Sequence, residues 1–197
     1  MTVDILAALA AFAFVTSITP GPNNLMLMAS GANFGLRRTV PHMLGVGLGH
    51  GFLLVCVGLG LAQLFERFPI ARLVLAALSV LYLLWLAWRI ASASAPRERA
   101  RARPFTFLEA AAFQWVNPKG WSMALTAVTL YATGSAASVL LVAAVFVAVN
   151  LPSVSSWALM GQGMARWLNS PARLRAFNWT MAALLVASLW PTVAGLV

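Results

Sequence analysis

Residues 5–29 read ILAALAAFAFVTSITPGPNNLMLMA, 25 residues without a formal charge. A bilayer core takes about 20 apolar helical residues, so the stretch has the length and character of a membrane span. It nevertheless contains Pro20 and Pro22 on either side of Gly21. Each proline removes an amide donor, and in a regular helix the carbonyls of Thr16 and Ile18 would lose their partners. Hydrocarbon cannot satisfy such groups, so the break Thr19-Pro20-Gly21-Pro22-Asn23-Asn24 has to face protein or a water-filled cavity. The two Asn side chains can accept a bond from the next helical turn or offer donors to a ligand. A proline kink packed against its neighbours is the other reading of the same residues.

The rest of the chain supports the span. Its 197 residues are 61% hydrophobic and 9% charged, with a mean hydropathy of +0.87, which excludes an ordinary water-soluble domain. Apolar windows at 5–29, 40–65, 70–88, 107–131, 138–164 and 176–196, all but the third and fourth free of charge, predict an all-α integral membrane protein of six spans. Arg72 lies near enough to a span end to snorkel, and Ala132-Thr133-Gly134-Ser135 is the natural turn between the fourth and fifth spans. Residues 1–4 hold an acid and no Lys or Arg, so the first run reads as a span and not as a signal core.

The formal net charge is +9, from 13 Lys and Arg against 4 Asp and Glu. In a polar chain this would suggest a nucleic-acid partner, but here the cations sit between apolar runs and read as loops beside a lipid bilayer. The odd-numbered connections carry Arg37, Arg38, Arg89, Arg97, Arg99, Arg101, Arg103, Arg166, Arg173 and Arg175, whereas the even side carries Arg67 and Arg72. Odd loops are therefore predicted to be cytoplasmic and both termini outside. Trp85, Trp88, Trp167 and Trp190 fall at interface level, while Trp115 and Trp121 fall inside the fourth span. The Ala-, Pro- and Arg-rich residues 93–105 read as a basic linker within a single transmembrane domain, between halves at about 1–92 and 106–197. Three spans per half inverts the second half relative to the first, as in many secondary transporters.

The fourth span, first of the second half, is also interrupted, at Gln114-Trp115-Val116-Asn117-Pro118-Lys119-Gly120. Pro118 frees the carbonyl of Gln114. Lys119 sets a formal charge roughly 18 to 20 Å of helical rise into the span, where charge is expensive and usually functional. Pro-interrupted segments in corresponding positions of two halves point to a transporter binding site; a lysine snorkelling to the nearer interface is the alternative. The fifth span adds Asn150, Pro152, Ser153, Ser155 and Ser156, a third group of polar residues at depth.

The glycines Gly45, Gly47, Gly49 and Gly51 form a close-packing face, either internal or joining two subunits in a homodimer. His42 and His50 share a helical face without a third ligand, so no metal site is predicted. His50 is deep enough to carry a proton or to bond a neighbouring helix. The single Cys56 excludes an internal disulfide and a thiolate cluster. Asp4, Glu66 and Glu98 lie at ends or in loops, and Glu109 near the start of the fourth span, so no carboxylate is at mid-membrane.

Thr19-Pro20-Gly21-Pro22-Asn23, the Gly35-x-Arg37-Arg38 turn, the run Tyr82-Leu83-Leu84-Trp85-Leu86-Ala87-Trp88 and Asn117-Pro118-Lys119 together resemble the lysine exporter (LysE/RhtB) family of amino-acid exporters, over essentially the whole chain. Asn23-Asn24 and Trp85-Leu86-Ala87-Trp88-Arg89 are most similar to the branch with cysteine and O-acetylserine exporters. The resemblance implies a bacterial inner-membrane secondary transporter exporting amino acids or related metabolites, driven by the proton motive force and needing no cofactor. It also implies an acid in the fifth span, where this chain has Asn150; coupling would then fall to His50, Lys119 or the substrate.

The reading is alternating access around a site between the two halves. A small zwitterion would place its carboxylate at Lys119 and its ammonium at the freed carbonyls near Thr16 and Ile18. Thr19, Pro20, Gly21, Pro22, Asn23, Asn24, Gln114, Asn117, Pro118, Lys119 and Asn150 are the predicted substrate-binding residues, with His50 for proton coupling. A channel or a non-transporting scaffold is the alternative. An intramembrane enzyme is disfavoured, because the chain offers serines and histidines but no deep acid.

Overall fold

A computed structural model describes residues 1–61, 63, 67–92, 103–190 and 194. Glu66, Arg97, Glu98, Arg99, Arg101 and residues 93–102 of the expected linker lie outside the described residues, as does the C-terminal end of the expected sixth span. The described residues form helices and loops, with no strand among them.

Helix α1 (Val3–Ile18) is capped by Thr2, whose Oγ1 accepts from the Ile5 amide, with Asp4 in the first turn. It stops where Pro20 can no longer donate. Helix α2 (Pro22–Phe34) restarts with proline at its first position, where the missing N–H has no helical partner in any case. The two axes differ by 57°. Gly35, at φ 78°, ends α2 in a conformation that favours glycine and turns the chain into α3 (Leu36–Cys56). A π-helical turn, Val57–Leu61, follows, with Gly60 at φ 115°.

Helix α4 (Pro69–Ser92) precedes a region that reappears at Arg103. There Thr106 and Glu109 form a capping box at the start of α5 (Phe107–Phe113), and Arg103 grips the Glu109 carboxylate with both nitrogens, at 2.6 and 2.7 Å. The hydrogen bonds that Arg103 donates to Glu109, and then the Glu109 charge, raise the Arg103 pKa above its ordinary value. A 3₁₀ turn, Gln114–Val116, and an extended Asn117 separate α5 from α6 (Pro118–Tyr131). The extended conformation of Asn117 is what a residue before proline requires. Helix α7 (Ala136–Met164) runs unbroken through Pro152, and α8 (Pro171–Ala187) starts at a Ser170 cap.

Three helical stretches, Leu36–Leu61, Leu73–Ser92 and Ala136–Met164, are long and apolar enough to cross a membrane, and the bent α1–α2 pair reaches that length and apolarity only when its two helices are taken together. The window 107–131 is divided into α5, the 3₁₀ turn and α6. The last helix begins five residues before its apolar window, because Ser170 and Pro171 make a better start than any residue inside it.

Helix α7 is the centre of the molecule and packs against α1, α2 and α3, while α4 pairs with α8. Helices α2 and α7 touch backbone to backbone: a Cβ at Gly31 would overlap the Ala158 carbonyl, and one at Gly161 the Met28 carbonyl. The expected glycine face of α3 is consumed inside the protomer. Gly45 and Gly49 lie against Phe107 and Ala111 of α5, Gly47 and Gly51 against Leu151 and Val147 of α7. Leu73, Val74, Leu78, Leu81 and Leu84 of α4 are exposed, an apolar face that suits hydrocarbon.

Candidate functional site

The two helix breaks meet. Asn23 Nδ2 donates to Gln114 Oε1 at 2.8 Å, and Gln114 Nε2 donates back to Asn23 Oδ1 at 3.1 Å. Gln114 is fully buried; its Nε2 also reaches the Ala110 carbonyl, and its Oε1 accepts weakly from Asn117 Nδ2 at 3.5 Å. Pro118 takes away the usual donor to the Gln114 carbonyl, which accepts from the Asn117 amide instead, at 3.4 Å.

Lys119 crosses from the second break to the first. Its Nζ donates to the Thr19 carbonyl at 2.7 Å, to Thr19 Oγ1 at 3.0 Å and to the Pro20 carbonyl at 3.4 Å. The C-terminus of α1 presents unpaired carbonyls and the negative end of the helix dipole, so an ammonium is the group that best suits it. Gly21 makes the approach possible, since a Cβ there would lie 2.8 Å from Lys119 Cδ. The Gly21 backbone is extended, at φ −177°, so this glycine is needed for space and not for an unusual conformation.

Asn24 turns back across the same break, where its Nδ2 donates to the carbonyls of Ser17 at 2.8 Å and Thr19 at 2.7 Å. From α7, Asn150 Nδ2 donates to Ser17 Oγ at 2.9 Å. His50 of α3 packs its ring 5.5 Å from that of Phe146. Gly21, Asn23, Asn24, His50, Asn117, Lys119 and Asn150 border one cavity. Three buried atoms facing it, His50 Nε2, Asn117 Oδ1 and Asn150 Oδ1, have no hydrogen-bond partner among the described residues. Neither α2 nor α6 has a side-chain cap at its N-terminus, and these two positive helix ends point at the same space. The cavity measures about 20 Å³, room for about one water.

The freed carbonyls of Thr16 and Ile18 each have a donor within the protein. Thr16 O accepts from Thr19 Oγ1 at 3.1 Å and Ile18 O from Trp157 Nε1 at 3.1 Å. A buried indole N–H needs an acceptor, and a proline-freed carbonyl in an apolar setting needs a donor. The carbonyls of Thr19 and Pro20 are the ones that Lys119 holds. Sequence reasoning missed Trp157 and Ser17; an indole within an apolar window and a serine one turn before a proline break were their signals. Trp121 Nε1 donates to the Trp115 carbonyl at 2.9 Å, so these two tryptophans brace the second break from behind. Among the described residues no group of three potential metal ligands occurs.

Residues 14–188 match the LysE type translocator family. The cysteine/O-acetylserine efflux protein of Klebsiella pneumoniae is 31% identical over 192 residues, covering 94% of this chain and 95% of its own length. The protein of the same name from Escherichia coli K12 is 30% identical, covering 94% and 96%. No solved structure matches the chain.

Proposed function

The chain belongs to the LysE type translocator family, and from that premise we propose that it is a secondary transporter exporting small amino acids across the bacterial inner membrane. The substrate class is that of cysteine and O-acetylserine, which the similar efflux proteins carry in their names. Export draws on the proton motive force.

The chain crosses the bilayer six times in two inverted three-helix halves, with α5 and α6 together forming the fourth crossing and both termini outside. The segregation of arginines to the odd-numbered loops supports this arrangement.

The observation that carries the proposal is the Lys119 ammonium seated on the Thr19 and Pro20 carbonyls, joining the two breaks beside a cavity with three unpaired buried polar atoms. Broken helices that meet at a cavity are how transporters of this construction hold ions and zwitterions. The substrate ammonium takes the carbonyls of Thr19 and Pro20, and its carboxylate takes Lys119 and the uncapped N-termini of α2 and α6. Asn23, Asn24, Gln114 and Asn117 set orientation. Asn150 and His50 face the remaining polar atoms, with His50 the proton-carrying candidate because no carboxylate borders the cavity. Because the cavity holds about one water, binding requires the halves to separate.

Export of labelled cysteine, O-acetylserine, threonine and lysine from cells, with and without a protonophore, tests the proposal. Saturable, protonophore-sensitive export of one class, lost in Lys119→Ala with the protein still in the membrane, is the expected result. Full export by Lys119→Ala would overturn it.

A further inference from the structure

A second, larger cavity of about 150 Å³ lies at the opposite ends of α2 and α4, bordered by the first turns of α3 and by residues 103–105. One water needs about 10–15 Å³ by the same measure, so this space admits a solute of several heavy atoms.

Ser30, Asn33 and Arg103 on its wall have hydrogen-bond partners, but His42 and Arg89 have none among the described residues. His42 borders the cavity, is fully buried, and neither ring nitrogen has a partner among the described residues. An imidazole in its neutral form offers one donor and one acceptor, and leaving both unused in a buried site is costly. Arg89, the last residue of the Trp85–Arg89 motif, lies over the Trp85 ring at 5.0 Å and the Phe105 ring at 5.7 Å. Both rings lie within cation–π range, and the guanidinium makes no hydrogen bond to a described residue. Arg103 also borders the space, but its charge is taken by Glu109 at 2.6 Å. Arg89 is therefore the cavity's uncompensated cation among the described residues. A planar guanidinium fork beside two aromatic rings suits a carboxylate in two-point contact.

The two cavities share their walls. Helix α2 borders the first at Asn24 and the second at Asn33, and α3 borders the second at His42 and the first at His50. On α2 the two linings come within two residues, Asn24 and Met26, whereas on α3 His42 and His50 are eight residues apart, about 12 Å.

We infer that the second cavity binds the carboxylate of a small amino acid through Arg89, with His42 meeting its amine, as a loading station on the side of the arginine-rich loops before the solute reaches the helix breaks. This rests on the transporter reading above.

Equilibrium binding of radiolabelled O-acetylserine and cysteine to the purified full-length protein tests it. Two molecules per protomer are expected in the wild type. One is expected in Arg89→Gln, one in Lys119→Ala and none in the double variant. Arg89 is only half-buried, so its replacement keeps the fold; His42→Gln, checked for a monodisperse state, should match Arg89→Gln. A single wild-type site, abolished by Lys119→Ala and untouched by Arg89→Gln, would overturn the station and leave the transporter reading standing. Loss of the Arg89-dependent site on adding phosphatidylglycerol vesicles would assign the cavity to a lipid headgroup and overturn it too. No binding of either solute by the wild type would count against both.

Discussion

Asn23 and Gln114, 91 residues apart, exchange both amide hydrogen bonds between the two helix breaks. Each amide satisfies the other's donor and acceptor, so the pair works as one unit. Asn23→Ala and Gln114→Ala should each lower stability by about 1–3 kcal/mol, because each takes two hydrogen bonds from the partly or fully buried amide that remains. The double variant should cost little more than the worse single one. Thermal melting of the four proteins in detergent checks this, and additive losses would show that the two side chains act separately.

Gly21→Ala should impair export without unfolding the protein. The new methyl takes the space of the Lys119 stem, and the extended backbone accepts alanine, so the ammonium is displaced from the Thr19 and Pro20 carbonyls. Export rates should fall at least about tenfold, the equivalent of about 1.4 kcal/mol. Combining Gly21→Ala with Lys119→Ala should add nothing further. Initial export rates in cells with matched membrane expression decide it.

Trp157→Phe should lower stability by about 1–3 kcal/mol although it keeps the aromatic bulk. The loss comes from the Ile18 carbonyl, which Pro22 has deprived of its helical donor and which the indole N–H satisfies at 3.1 Å. A melting temperature equal to the wild type would mean that water or another group replaces the indole.

Gly161→Val should not yield folded protein, since the side chain would enter the backbone of α2 at Met28. Overpacking at a backbone contact costs about 3 kcal/mol or more. Gly163→Val, two residues on and with open space around its Cβ position, is the control that should fold. Size-exclusion chromatography of both variants distinguishes the outcomes.

The all-helical, apolar character of the chain and the helix ends beside Pro20 and Pro118 were legible because they depend on local chemistry. A proline lacks an N–H wherever it stands, and a residue before it is driven towards an extended conformation, as Asn117 is. The partners of the freed carbonyls were not legible. Trp157 lies 139 residues from Ile18 and Lys119 lies 100 from Thr19, and nothing in the local pattern selects those pairs. The start of α8 was set too late because hydropathy ignores capping, and Ser170-Pro171 starts a helix among polar residues. The glycines of α3 were readable as a packing face, but which neighbours they admit depends on how α5 and α7 are arranged around them.

The grip of Lys119 on Thr19 and Pro20 makes the site one of exchange. Any amine arriving at those carbonyls meets an amine already bound there, so the swap gains little by itself. The outcome depends on what the evicted lysine finds. A solute that carries only an amine leaves the lysine charge stranded in a water-poor cleft, a state that costs several kcal/mol. A solute that brings its own carboxylate gives the lysine a new partner and completes the trade. Under the proposed function, the resting protein would reject simple amines and inorganic cations, and would discriminate between solutes by the pairing of two opposite charges on one small molecule.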